Sequence, residues 1–448
     1  MVIFHLVFAL MVTRASLDLP ISHLTINIGG KPISAGALLN LFVVFIGLLY
    51  VLQGRKLVIP RIIVYAWGPF LVISLISIAY TPEIVGAMRK FLVTVSYVSI
   101  TLIAYKFDLL SKNEGVLLKI LLLSSIVPIL YVPVDIVMSA ASLPGYRVKS
   151  VFPHPNILAF YSVLLILYFY HYLSKRNLFF SAKHCLIYIS ILGLIVALLL
   201  TQTRAAWAAL YLSVLIYSTM TRPKLAPLIA VVPIIALLEP NIRERIFEVF
   251  LAPSIDVIYL TDVIQGRVRG SEAIVLNSYE WRKVIWEFAF AEAWKKPVLG
   301  HGLDSFMYYS RTFSPLSTDA TGAHSMYVKY LFEMGIFGLI CFISIFVYLI
   351  VKVLRYRRAF PADAAFIFSL LLFYLLISYS DNIIGYLSFN WYFWFLIGTF
   401  FAGFAHRNRT RAPARGMQFD QKTAAYRLPL NPVRNAVSGA IKRGDYPS

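Results

Sequence analysis

The sequence predicts an all-α, polytopic membrane helix bundle of about twelve spans, with one large extramembrane loop that itself contains helix. Three observations predict it. Of the 448 residues, 59% are hydrophobic and 14% charged, whereas a soluble domain carries about 25% charged residues. Apolar runs of about twenty residues recur along the chain, each long enough to cross a hydrocarbon layer about 30 Å thick. These runs are continuous rather than alternating, which argues against a transmembrane barrel. Basic residues, finally, gather in every second loop.

In chain order the spans fall at 2–17, 34–53, 62–80, 89–105, 115–138, 155–173, 183–201, 204–220, 224–239, 324–351, 361–380 and 387–405. The first is short and lacks both a basic leader and a small-residue cleavage site, so it reads as a span rather than a removed signal. One set of loops carries Arg55, Lys56 and Arg61, then Lys175, Arg176 and Lys183, then Arg222 and Lys224, then Lys352, Arg355, Arg357 and Arg358. By the positive-inside rule this side is cytoplasmic, and both termini are expected there. The expected division is N-terminal spans over 1–238, a large outer loop over 239–323, C-terminal spans over 324–405, and a basic, flexible cytoplasmic tail over 406–448.

The net charge of +20 does not point to nucleic acid, because the cations sit in loops and tail rather than on a face interleaved with stacking aromatics. Two cysteines, Cys185 near the inner surface and Cys341 inside a span, are not placed for a disulfide. The large loop is too rich in aromatics for disorder. The segment 279–296 reads as an amphipathic helix, with Trp281, Ile285, Phe288 and Ala289 on one face and Arg282, Lys283, Glu287 and Glu292 interleaved. Pro297 ends it and Gly300-His301-Gly302 turns the chain. Such a helix suits either the membrane interface or a lid packed on the bundle.

Candidate chemistry lies on the outer side. Arg204 stands in Thr201-Gln202-Thr203-Arg204-Ala205-Ala206-Trp207, a turn with more polar groups than a short connection needs. Arg147 and Lys149 precede His154-Pro155-Asn156, against the positive-inside trend. Arg282 lies on the loop helix, and His324 opens the tenth span. Each has an ordinary reading: an interfacial arginine snorkels, an asparagine caps a helix, a lone histidine is a hydrogen-bonded structural group. Together they predict an electropositive outer cavity, with Gln202 at its edge and one group that exchanges protons near neutral pH. Metal-ligand spacings, a Walker loop and a dinucleotide fingerprint are absent from the sequence, so neither a metal nor a nucleotide cofactor is expected.

Three motifs then resemble a known family. His324-Ser325 followed by nine residues, Gly335, two residues and Gly338, the Thr-Gln-Thr-Arg-Ala-Ala-Trp segment, and Pro297-x-x-Gly-x-Gly-x-x-x-Phe306 are similar to the signature of bacterial O-antigen ligases and Wzy-type polysaccharide polymerases. The resemblance covers roughly His154 to Gly338. It implies a GT-C-like membrane glycosyltransferase that moves a glycan from undecaprenyl diphosphate to an acceptor hydroxyl, with inversion and without metal or other cofactor. The active site would face the periplasm from the bacterial inner membrane. Carried over by residue, His324 would deprotonate the acceptor, and Arg204 and Arg282 would hold the diphosphate. Arg147, Lys149, His154, Asn156 and Gln202 would line the substrate cavity. The implied partners are the lipid-linked oligosaccharide, an acceptor glycan or lipid A–core, membrane lipids and other polysaccharide-assembly proteins. Polymerisation of exopolysaccharide or O-antigen repeats is the first expectation, and ligation to lipid A–core the alternative. A lipid-linked glycan flippase or transporter is the reading from another class. Ionisable residues gathered at one face rather than at the bilayer midplane, and the lack of an internal repeat, argue against it.

Overall fold

A computed structural model describes residues 2–28, 31–52, 59–139, 146–178, 184–231, 278–314 and 320–411. In chain order its elements begin with α1 (Val2–Thr13), α2 (Asp18–His23), strands β1 (Thr25–Ile28) and β2 (Lys31–Ser34), then α3 (Ala35–Leu52), α4 (Arg61–Ile78) and α5 (Ile84–Phe107). They continue with α6 (Leu109–Lys112), α7 (Glu114–Ser139), α8 (Pro155–Arg176), α9 (Cys185–Leu200), α10 (Arg204–Thr221) and α11 (Ala226–Ala230). The last five are α12 (Ser278–Ala293), α13 (Phe306–Phe313), α14 (Met326–Tyr356), α15 (Pro361–Ser380) and α16 (Leu387–Arg411).

A span that is apolar on every side can face lipid, so the centre of the bundle goes to less apolar spans: mean hydropathy is 1.6 for α8 and 1.2 for α16, against 2.4 for α3. The apolar windows of α8 and α16 are 94% buried, against 22% for α3 at the periphery. Packed around them, α10 lies against α15, α14 against α4 and α15, and α3 against α5. Eight helices among the described residues are long and apolar enough to cross a membrane: α3, α4, α5, α7, α8, α14, α15 and α16. The expected count of about twelve therefore needs qualification. α1 and α9 stand where spans were predicted but are shorter; the 16 residues of α9 reach only about 24 Å. α10 fills the predicted eighth span with a more polar helix. The predicted ninth span starts as α11, and from residue 232 lies outside the described residues, as do 239–277 of the predicted outer loop and the tail from 412.

The all-α class holds, with one short hairpin added to it. β1 and β2 pair antiparallel, with Ile26 opposite Ile33. The cause is local: alternating β-branched residues, Thr-Ile-Asn-Ile, run into Gly29-Gly30 in the sequence, a composition that favours a hairpin over a helix.

The loop helix forms where it was predicted, three residues shorter at its C-terminal end. Its apolar stripe, Ile285 and Ala289, is fully buried against Phe306, Val328 and Phe332 of α13 and α14. It is a lid packed on the bundle. The segment after the lid accounts for two of the sequence motifs. α14 carries non-helical backbone at Gly335 (φ 65°, ψ −164°). The loop at 297–302 docks into this break: Ile336 N–H donates to Pro297 O at 2.8 Å, while His301 and Gly302 N–H groups donate to the carbonyls of Phe332 (3.0 Å) and Glu333 (2.7 Å). Inside an apolar bundle those interrupted backbone groups need new partners, and the loop supplies them. A Cβ on Gly335 would stand 2.3 Å from Val298 O, and one on Gly302 2.4 Å from Thr81 Cα, so side chains are excluded at both positions.

Candidate active site

The site is built on the entry to α8. Pro155 takes the first helical position, and the His154 ring caps the helix by accepting the Asn156 N–H at its Nδ1, 3.1 Å away. The Asn156 side chain then faces two ways. Its Oδ1 accepts from Arg147 Nη2 at 2.8 Å, and its Nδ2 donates to Asp381 Oδ2 at 2.5 Å. Arg147 also donates from Nε to Thr201 O (2.8 Å) and from Nη2 to Thr203 Oγ1 (2.9 Å). One guanidinium thus ties the turn between α9 and α10 to the start of α8. Gln202 occupies the left-handed region in that turn (φ +51°), which lets the chain reverse so that Arg204 opens α10.

Asp381, in the connection between α15 and α16, is only 1% exposed. Its Oδ1 accepts the Asn382 N–H at 2.8 Å and lies 3.9 Å from Nδ1 of His324. His324 stands just before α14 with φ +46°, an uncommon conformation for a side-chain-bearing residue. Two contacts from the lid hold it. Trp286 Nε1 donates to Ala323 O at 2.7 Å, and the Trp281 ring meets the imidazole edge to face with centroids 5.2 Å apart. The lid therefore seats the histidine.

The charges around Asp381 act on one another. Burial pushes the His324 pKa down; Asp381 pulls it back up, and Arg282 pushes it further down. Burial likewise lowers His154, with Asp381 opposing and Arg147 and His324 adding to the shift. Both imidazoles are accordingly neutral at pH 7. Arg147 is held below its ordinary value by burial, with Asp381 opposing, and Arg204 and Arg282 repelling it. Burial lowers Arg282 likewise, and the Asp381 carboxylate opposes that shift. Two guanidinium groups, Arg147 and Arg282, and two imidazoles, His154 and His324, are thus grouped around a single buried carboxylate, with Arg204 near enough to Arg147 to repel it.

Of the residues predicted from sequence, Arg147, His154, Asn156, Arg282 and His324 meet around Asp381, Arg204 acts on Arg147 through its charge, and Gln202 shapes the turn. Lys149 is positioned through its backbone N–H, which is anchored to Asp135 Oδ2 at 2.9 Å. Its ammonium makes no hydrogen bond or ion pair among the described residues. Sequence reasoning missed Asp381, and also Tyr386, whose ring stacks on His154 (6.3 Å, 19°) and whose hydroxyl burial keeps protonated. The available signal was electrostatic: a cluster of cations around a base needs a compensating carboxylate, and Asp381 is the acid in the predicted outer loop 380–386. His301, in the turn that follows the lid, lies stacked on Phe332 with Nε2 3.1 Å from Glu292 O. Among the described residues no group of three or more His, Cys, Asp or Glu side chains is placed to hold a metal ion.

The fold and this site define a multi-pass membrane protein with a polar, cation-rich site at one end of its bundle. The family model for O-antigen ligases matches residues 188–343, the stretch that runs from α9 through Arg204 and the lid to His324 and the break at Gly335. The similarity read from the three motifs to the O-antigen ligase and Wzy-type family is therefore upheld, and members of that family are glycosyltransferase-like enzymes. No curated protein matches the chain.

Proposed function

We propose that the protein is an inverting, metal-independent glycosyltransferase of the bacterial inner membrane. It transfers a glycan from undecaprenyl diphosphate to an acceptor hydroxyl on the periplasmic side, elongating exopolysaccharide or O-antigen repeats. The observation that carries this reading is the neutral imidazole of His324, 3.9 Å from buried Asp381 and set among arginines. With Nδ1 turned to Asp381, Nε2 is left to take a proton. The acceptor oxygen attacks the anomeric carbon as its proton passes to Nε2. The bond from that carbon to the diphosphate oxygen breaks, and its electron pair leaves with the diphosphate. Arg204 and Arg282 receive the growing negative charge, a role for which planar guanidinium forks are suited. Asp381 stabilises the imidazolium. One displacement inverts the anomeric centre.

The purified protein in detergent, given undecaprenyl-diphosphate-linked repeats, should yield longer glycans and free carrier diphosphate, also in excess EDTA. His324→Ala should reduce turnover on the order of 10²–10⁴-fold. Arg204→Lys should lose most activity, because a point charge does not replace a fork. The description of the matched family favours a second reading, ligation to lipid A–core. Products formed only when lipid A–core is added would select it. Relocation of unchanged donor across a vesicle membrane, without glycan transfer, would exclude both in favour of a flippase.

A further inference from the structure

One length of α8 away from His154, 22 residues or about 33 Å, the last turns of α8 and α10 and the first turn of α15 enclose a cavity of about 290 Å³. Its wall carries two cations, Lys175 and Arg222, beside the polar side chains of Asn177, Tyr217 and Thr221, and among the described residues no carboxylate. The Arg222 guanidinium is fixed in place. Nε donates to Ser174 Oγ at 2.9 Å, and Nη2 donates to Ser174 O at 2.8 Å and to Asn177 Oδ1 at 2.5 Å. The Lys175 ammonium lies 2.7 Å from Asp363 Oδ1 and 3.1 Å from Glu114 Oε1, which leaves its third N–H for the cavity it lines. The side chains of those two acids are 3% and 13% exposed, so both sit behind the lysine rather than in the cavity.

The surroundings are amphipathic. Beyond Arg222 the chain exposes Leu225 (39%) and Leu228 (70%), and Lys224, two residues after Arg222, is exposed as well. Fixed cations in a recess, beside apolar side chains at the end of a bundle of membrane-length helices, match one ligand chemistry: a phosphate that carries hydrocarbon. We propose that this cavity binds the headgroup phosphate of an anionic phospholipid, with Arg222 and Lys175 on the phosphate oxygens and the acyl chains beside Leu225 and Leu228. A soluble phosphate shares the polar half of that chemistry but has no use for the leucines.

The test uses the full chain in detergent, with native mass spectrometry to count retained lipid and melting temperature to follow stability. Phosphatidylglycerol should be retained and should raise the melting temperature, while phosphatidylcholine should do neither. Ala362→Glu places a carboxylate in the cavity wall without removing any side-chain contact, and should abolish both effects. Arg222→Gln should weaken retention about fivefold, the worth of one cation at a membrane surface; it decides the matter if Ala362→Glu lowers the melting temperature of the lipid-free protein. Equal effects of the two lipids would overturn the proposal, as would full retention of phosphatidylglycerol by both variants. Inorganic phosphate reproducing the stabilisation would also overturn it, in favour of a soluble ligand. None of these readouts depends on glycosyl transfer, so this site and the catalytic reading stand or fall separately.

Discussion

Asp381 sets the behaviour of His324 without having to touch substrate. Its negative charge raises the imidazole pKa, opposing burial and Arg282, which lower it. Replacing it with asparagine removes the upward pull, so the folded enzyme's His324 pKa falls. The base is then unprotonated to lower pH, and the acidic limb of the kcat/KM profile should move to lower pH. The plateau should fall at the same time, because the imidazolium formed in the reaction loses its counter-charge. Arg282→Gln should shift the limb the opposite way, to higher pH, since a repelling charge is gone. A pH–rate series on both variants checks the pair, and shifts of the same sign would break the assignment. The cations of this site were legible in the sequence because they stand in loops of the parity opposite to the basic ones, where the positive-inside rule makes them unusual. Asp381 was not. It gains meaning from Asn156, 225 positions away, and from His324, through contacts that no local pattern announces.

At the level of elements, the glycine motifs owe their spacing to the docking of one loop into one broken helix. Gly335 adopts φ +65°, and the carbonyls that α14 leaves open there are taken by His301 and Gly302. The same loop ends at α13, whose Phe306 N–H donates to Glu333 Oε1 at 3.3 Å, while Lys329 pairs with that carboxylate at 2.7 Å. Gly335→Ala would force a side chain into left-handed backbone, at a cost of about 1–3 kcal/mol, before any overlap with Val298 O. The expected result is a lower melting temperature and faster hydrogen exchange over 297–306, with reduced turnover because the lid that seats His324 rests on the same segment. Unchanged exchange would mean that the loop is held by something else. Spacing alone showed that glycines mattered; their reason depends on two segments about thirty-five residues apart meeting backbone to backbone. The lid was easier to foresee, because Ile285 and Ala289 carry the periodicity that buries them. The β1–β2 hairpin was lost for the converse reason: four-residue strands are too short to register against long apolar runs.

For the molecule as a whole, hydropathy made the bundle legible, since a helix such as α8 has no polar face on which any other arrangement could rest. Charge predicts an orientation. Lys175, Arg222, Arg357 and Arg358 lie at connections of one parity, and the site cations at those of the other. A count of basic residues alone is blurred, because Arg147, Arg204 and Arg282 gather where an anionic donor is expected and not where orientation would put them. A direct measurement removes the ambiguity. In a background with Cys185 and Cys341 replaced by serine, single cysteines at Lys295, 68% exposed beside the lid, and at exposed Arg358 should respond differently to a membrane-impermeant maleimide. The first should be labelled in intact spheroplasts and the second only after permeabilisation. The reverse pattern would place His324 on the cytoplasmic side, where it could not serve transfer to an acceptor outside.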